Sequence, residues 1–308
     1  MKPEQQTVRE TLTRPGLAAL TDRSVIRVTG ADATDFLHAQ FISDIQNMPP
    51  GSAGLSAWCN PKGRSICNFV IAFDGTAYTL VLPRALHRAF CQRLQMFILR
   101  AEVTVEDKLD ELACTGLLYD DQALPDNAAI PEVAKNHCVE HQGILAMAYL
   151  DGCSLLLSEV ARAQTLREDL AATLAVYQQA QWTWMEIRQR CPWLDEATTE
   201  TFIPQEMSLD EFGIMSFDKG CYPGQEIIAR IHYRGEVKRR LHYASCDTDT
   251  PIPSGGKVID NAGNKAGVIV TAVRTDKTQR LLCVIDARYA QDQVLHIDGM
   301  DKTIVTLH

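Results

Sequence analysis

Residues 216–241 read SFDKGCYPGQEIIARIHYRGEVKRRL, and they put Lys219 two positions before Cys221. Tyr222 follows, and a helix is predicted to start at the Pro223-Gly224 turn, with Gln225 and Glu226 at its beginning. A nearby ammonium and a helix start both favour thiolate over thiol, so the pattern suits a reactive cysteine. Gly220 and Gly224 would let the backbone approach a ligand closely. The alternative is an inert cysteine buried at a glycine-rich corner, which is how free thiols usually occur. The basic run Arg230, His232, Arg234, Lys238, Arg239, Arg240 and His242 comes next. It is either a solvated face or a recogniser of anions, such as a poly-carboxylate tail, a phosphate or RNA.

A second constellation lies in AQWTWMEIRQRCPWL, which alternates with the period of a strand. Read that way, Trp182, Trp184, Glu186 and Arg188 share one face. Two indoles beside a carboxylate and a guanidinium suit a flat heterocycle such as a pterin. The competing reading makes the tryptophans core and leaves the charges at the strand's wet end.

The elements that must position these residues follow an α+β grammar. Residues 1–22 are polar and expected to be loosely ordered. Residues 23–111 alternate strands with helices, Asp32 being a candidate cap for the first helix. Residues 112–240 repeat the pattern, with a Pro-rich loop, and carry the aromatic strand and the cysteine motif. From 241 to 308, short strands with glycine turns predict a small antiparallel barrel.

The whole chain, 308 residues with net charge −9, is too acidic to be a general nucleic-acid coat. Its ten cysteines show no CxxC pair and no metal-ligand cadence, so no metal site is expected. No secretory signal or membrane-length apolar run is present, and a reduced, cytoplasmic setting is expected.

Lys219-Gly220-Cys221-Tyr222, Gly224-Gln225-Glu226 and the basic segment after them resemble the YgfZ-type folate-binding proteins. These are relatives of the glycine-cleavage T-protein (an aminomethyltransferase) and of mitochondrial iron–sulfur assembly factors. FIPQEMSLDEFGIMSF, VIRVTGADATDFLHAQFISDI and NPKGR resemble the same family, so the likeness runs from about residue 20. It implies a T-protein-like multi-domain fold: two α+β units and a C-terminal antiparallel β-barrel around a folate pocket. It also implies tetrahydrofolate or another folate as cofactor, and iron–sulfur or tRNA-modifying (thiolating) enzymes as partners.

By the resemblance, Cys221 is the functional thiol, helped by Lys219. Trp182 would contact folate, with Trp184, Glu186, Arg188, Tyr222, Gln225 and Glu226 around it and Arg230 on the glutamate tail. The sequence departs from the family at two places. Arg23 stands near a family tryptophan, and Arg188 where the T-protein has its pterin-holding glutamate. The T-protein's Asp-Asp pair falls on Cys67 and Asn68, so aminomethyl transfer is not expected. Two alternatives stay open: a folate-dependent one-carbon transferase or demethylase, and a tRNA-binding module using residues 228–242.

Overall fold

The computed structural model describes residues 8, 11–122, 124, 130–275, 278–290, 294–300 and 303–308. Strands β1 (Gly16–Ala19) and β2 (Arg23–Thr29) lead into helix α1 (Ala33–Gln40). Strands β3 (Ser52–Cys59), β4 (Ser65–Phe73) and β5 (Tyr78–Pro83) follow, then helix α2 (His87–Gln95) and β6 (Thr104–Asp107). The next stretch holds β7 (Leu112–Leu118), β8 (His137–His141), β9 (Ile144–Leu150) and β10 (Cys153–Glu159), then helix α3 (Val160–Leu170). After β11 (Ala175–Tyr177) come helices α4 (Gln179–Arg188) and α5 (Gln225–Arg234). Six strands end the chain: β12 (Arg239–Asp247), β13 (Lys257–Asp260), β14 (Lys265–Thr275), β15 (Thr278–Asp286), β16 (Leu295–Ile297) and β17 (Ile304–Leu307).

The first eleven strands form one sheet in the order β11-β1-β7-β10-β9-β8-β3-β4-β5-β2-β6. Its two halves meet at a single pairing, Ser52 with His137. The last six close into an antiparallel barrel, β12-β15-β14-β13-β16-β17. This is the expected α+β architecture with its C-terminal barrel.

The centre of the sheet is covered on both faces, so β4 (SICNFVIAF) is almost continuously buried rather than half wet. Phe69 points into an aromatic core with Phe41, Trp58 and Phe90, while Val70 points into the opposite core with Leu55 and Val25. No helix among the described residues is long and apolar enough to cross a membrane.

Three local expectations need correction. Gly16–Ala19, placed in a loose N-terminus, is a strand that pairs with both β7 and β11; most of the residues before it lie outside the described ones, as does part of the Pro-rich loop. Asp32 does not cap α1 with its side chain; its Oδ2 accepts the Glu102 amide at 2.7 Å.

The largest difference is α4. Trp182 to Arg188 is a helix, not a strand. It is buried on nearly all sides, so apolar residues recur at every spacing and the helical period is erased. The face supposed to hold Trp182 with Trp184 is split: Trp182 packs into one core and Trp184 into the other.

Candidate functional site

Of the ten cysteines, all free and all described, Cys221 alone is exposed. It sits just before α5, whose N-cap is Gly224 at φ +82°. Only glycine fits there. A Cβ at Gly224 would lie 2.6 Å from Asn60 O and from Gly63 Cα. Gly63 also has a positive φ, +72°, and closes the Asn60–Gly63 turn through its amide to Asn60 O at 2.9 Å. The two motif turns, NPKG and YPGQ, therefore pack backbone against backbone.

Lys219 was expected to activate Cys221, and the geometry gives it other work. Its three ammonium hydrogens go to the carbonyls of His38, Phe41 and Ser43, at 2.5, 2.6 and 2.8 Å. Burial pushes its pKa down to about 8. Hydrogen bonds to a charged group are worth about 1.5–3 kcal/mol each, so Lys219 anchors the cysteine loop to the end of α1. The Gln225 side chain closes the loop by donating to Lys219 O at 3.3 Å. Tyr222 is buried with its hydroxyl unpartnered, and the Lys219 ammonium lies 5.0 Å from its ring centre. Glu226 and Arg230 point to solvent.

One consequence can be measured by thiol labelling. A disulfide reagent such as DTNB is expected to modify one thiol in the native chain and all ten in denaturant. Cys221→Ser should abolish the native reaction; rapid labelling of several thiols would contradict the structure.

The loop borders a channel. Two cavities of about 550 and 480 Å³ share Ala53, Gly54, Leu55, Asn136, Gly213 and Ile214 in their walls. One ends at Tyr149, Gln189, Arg190 and Glu211; the other ends at Ser216, Phe217 and Asp218, directly before the cysteine loop. Phe217 stacks on His232 of α5, with centroids 3.8 Å apart and planes at 13°. A Cβ on Gly54 would meet nothing within 4 Å.

The helix α4 residues do not form the expected platform. Trp182 is 1% exposed and donates from Nε1 to Glu186 Oε1 at 2.7 Å. The same oxygen accepts from Tyr149 (3.0 Å) and Arg23 Nη2 (2.9 Å), and Arg23 also reaches Oε2 at 2.8 Å. Asp22 holds the other arm of Arg23 at 2.5 Å. Burial alone would favour neutral Arg23, but Glu186 and Asp22 outweigh it and keep the guanidinium cationic. Burial pushes the Glu186 carboxyl up, with Arg23 and Trp182 pulling against it. Trp184 lies instead toward the barrel, 6.3 Å from Tyr243. Arg188 forms a bidentate pair with Asp120 at 3.1 and 2.6 Å.

The residues that line the channel were mostly missed. Tyr149, Asn136 and Glu211 carried no sequence signal, because strands and loops far apart in the chain bring them together. Gly54 did carry one: an isolated glycine inside a strand often marks close approach by a ligand. Cys67 and Asn68 are fully buried, and Asn68 is used at both ends, donating to Pro192 O and accepting from Leu194 N. Two members of the basic run are also committed: Arg239 to Glu206 and Arg240 to Asp210. Among the described residues no group of three or more His, Cys, Asp or Glu could hold a metal ion.

Comparison with known proteins places this geometry. No protein-family model matches the chain. It is 26% identical over 294 residues to the tRNA-modifying protein YgfZ of Yersinia pseudotuberculosis serotype IB, covering 91% of this chain and 87% of that one. The chain is a relative of the YgfZ proteins. The YgfZ of Colwellia psychrerythraea is 27% identical over 301 residues, covering 94% and 91%. The fold matches the crystal structure of the glycine cleavage system aminomethyltransferase T from Bartonella henselae. That match has a TM-score of 0.79 and 18% identity, and covers 97% of this chain and 86% of that one. The YgfZ likeness thus covers most of the chain, and the fold is that of the T-protein.

Proposed function

We propose that this protein is a folate-binding accessory protein that supports iron–sulfur enzymes, tRNA-thiolating ones among them, with Cys221 as its functional thiol. The observation that carries the reading is the place of Cys221: the one exposed cysteine, on a loop that Lys219 ties to the end of α1 and that follows directly on Asp218 in the wall of a ligand-sized channel. The tRNA-modifying role in the names of its relatives and the T-protein fold support it. Ten free cysteines suit a reducing, cytoplasmic setting.

The channel is ligand-sized, and its walls would serve a folate with one substitution. Arg188 is spent on Asp120, so Glu211 and Asn136 would offer acceptors to the amino-substituted ring. Leu55, Ile214 and Phe217 would flank the flat body, and the acidic tail would leave beside α5, where Arg230 and Arg234 are exposed. Folate supplies one-carbon chemistry when bound; the chain itself binds, orients and shields it.

The transferase alternative lacks a carboxylate where the fold's Asp-Asp pair would stand, and Asn68 there has no free end. The tRNA-docking alternative is weakened by charge. With Arg239 and Arg240 paired, exposed Arg230, Arg234 and Lys238 are balanced by exposed Asp218, Glu226 and Glu236.

The test is genetic and chemical. Cells lacking the protein should show a fall in thiolated tRNA nucleosides by mass spectrometry. Wild type should restore them and Cys221→Ser should not. Full rescue by Cys221→Ser would remove the thiol from the mechanism.

A further inference from the structure

A separate cavity, of about 550 Å³, lies between the end of β1, the turn just past β5, the start of β7 and helix α3. It shares no lining residue with the channel. Arg23, Arg84 and Arg167 stand in its wall, against a single carboxylate, that of Asp110. Leu20, Leu112 and Val160 supply apolar surface between them.

The three arginines are not equivalent. Arg23 is buried, and Glu186 and Asp22 already meet its charge. Arg84 and Arg167 keep theirs. The Arg84 side chain is 48% exposed, and its nearest carboxylate, on Asp110, lies 3.9 Å away, beyond hydrogen-bond reach. Asp110 is itself 92% exposed, so the pair is solvated and weak. Arg167 is half-buried; it donates from Nη1 to Thr115 Oγ1 at 3.2 Å and meets no carboxylate among the described residues.

Both cations are held by firm elements and can be reached from solvent. The Arg84 amide donates to Asp22 O at 2.7 Å, which fixes the chain as it leaves β5. Arg84 also acts inward: burial pushes the Cys114 thiol, in the same wall, up to about 12, with Arg23 and Arg84 pulling against it. Arg167 follows Val160 by seven positions, so the two share one face of α3. Leu166 and Leu170 tie that helix to the core beneath.

A guanidinium stays charged at any ordinary pH, and its planar fork matches carboxylate and phosphate oxygens. Two of them on one concave, partly apolar wall focus a positive potential, on a chain whose net charge is −9. We infer that this cavity is a second ligand site, for a small organic dianion held by Arg84 and Arg167. Phosphate monoesters and dicarboxylates share that chemistry, with the carbon body against Leu20, Leu112 and Val160. The inference stands apart from the folate reading, because the channel is not involved.

The experiment is calorimetric titration of the full chain, at constant ionic strength, with glycerol 3-phosphate, succinate and acetate. Saturable binding is expected for at least one dianion, and the preferred one tells phosphate from dicarboxylate. Acetate, with one charge, should bind at least about tenfold more weakly. Arg84→Gln at the exposed rim and Arg167→Gln on α3 should each weaken binding about tenfold. Arg88→Gln removes the same charge from an exposed site on α2, outside the wall, and should leave binding unchanged. The inference is overturned if neither dianion binds, if acetate binds as well as they do, or if Arg84→Gln and Arg167→Gln both bind as wild type does. An equal loss in Arg88→Gln would overturn it too, by reducing the effect to overall charge.

Discussion

Arg23→Met is expected to destabilise the folded chain by about 3–5 kcal/mol, the usual penalty for stripping one partner from a buried ion pair. The substitution leaves Glu186, 1% exposed, with hydrogen bonds from Trp182 and Tyr149 but no counter-charge. Adding Glu186→Gln should recover most of the loss, because it removes the orphan charge and keeps an oxygen for Trp182 and Tyr149.

The pH dependence has a definite sign. Burial already raises the Glu186 pKa above the ordinary 4.5, and losing Arg23 removes the main opposing pull. The folded variant therefore takes up a proton at higher pH than the unfolded chain does. Its deficit is full above the raised folded value and shrinks as pH falls toward 4.5. Urea unfolding of the single and double variants between pH 7 and 5 checks this. A loss below about 1 kcal/mol, or a deficit that grows on acidification, would mean the pair does not hold the core as described.

Trp182→Ala is expected to cost a further class of stability, about 3–5 kcal/mol, through the void it leaves. The indole packs directly on the β7 backbone: a Cβ on Gly116 would lie 2.2 Å from Trp182 Cε3. Gly116→Ala should therefore destabilise the wild type by about 1–3 kcal/mol through overpacking. In the Trp182→Ala background the same methyl enters empty space and should be neutral or stabilising. That reversal identifies Trp182 as a core residue. Simple additivity of the two changes would mean that the ring does not sit on Gly116.

The barrel was legible because short strands and glycine turns leave a local signature, and so was α5, with its early polar residues and apolar face. Helix α4 was not. Its large residues enter two cores at helical spacing, Trp182 with Met185 and Trp184 with Ile187, and because both sides are buried no polar face is left to show the period. Strand β1 was hidden for a different reason: GLAA has little strand propensity and is held by partners distant in sequence. At the site, Cys221 and Lys219 were identifiable by type and spacing, yet the role of Lys219 depended on three backbone carbonyls that no spacing encodes. Arg23 and Glu186 were each singled out for a ligand. Their use of one another, across 163 residues, belongs to tertiary structure alone.

The central claim is that the channel ending at the cysteine loop binds folate, and Gly54 offers the cleanest way to test it. A leucine there projects into open space from a strand, so it should obstruct the channel without disturbing the fold. The deciding measurement is calorimetric titration of the reduced chain with tetrahydrofolate, comparing wild type, Gly54→Leu and Cys221→Ser. Saturable binding to wild type and Cys221→Ser, weakened at least about tenfold in an equally stable Gly54→Leu, is the predicted result. No binding to wild type, or equal binding to Gly54→Leu, would contradict it and leave the exposed thiol without a folate beside it.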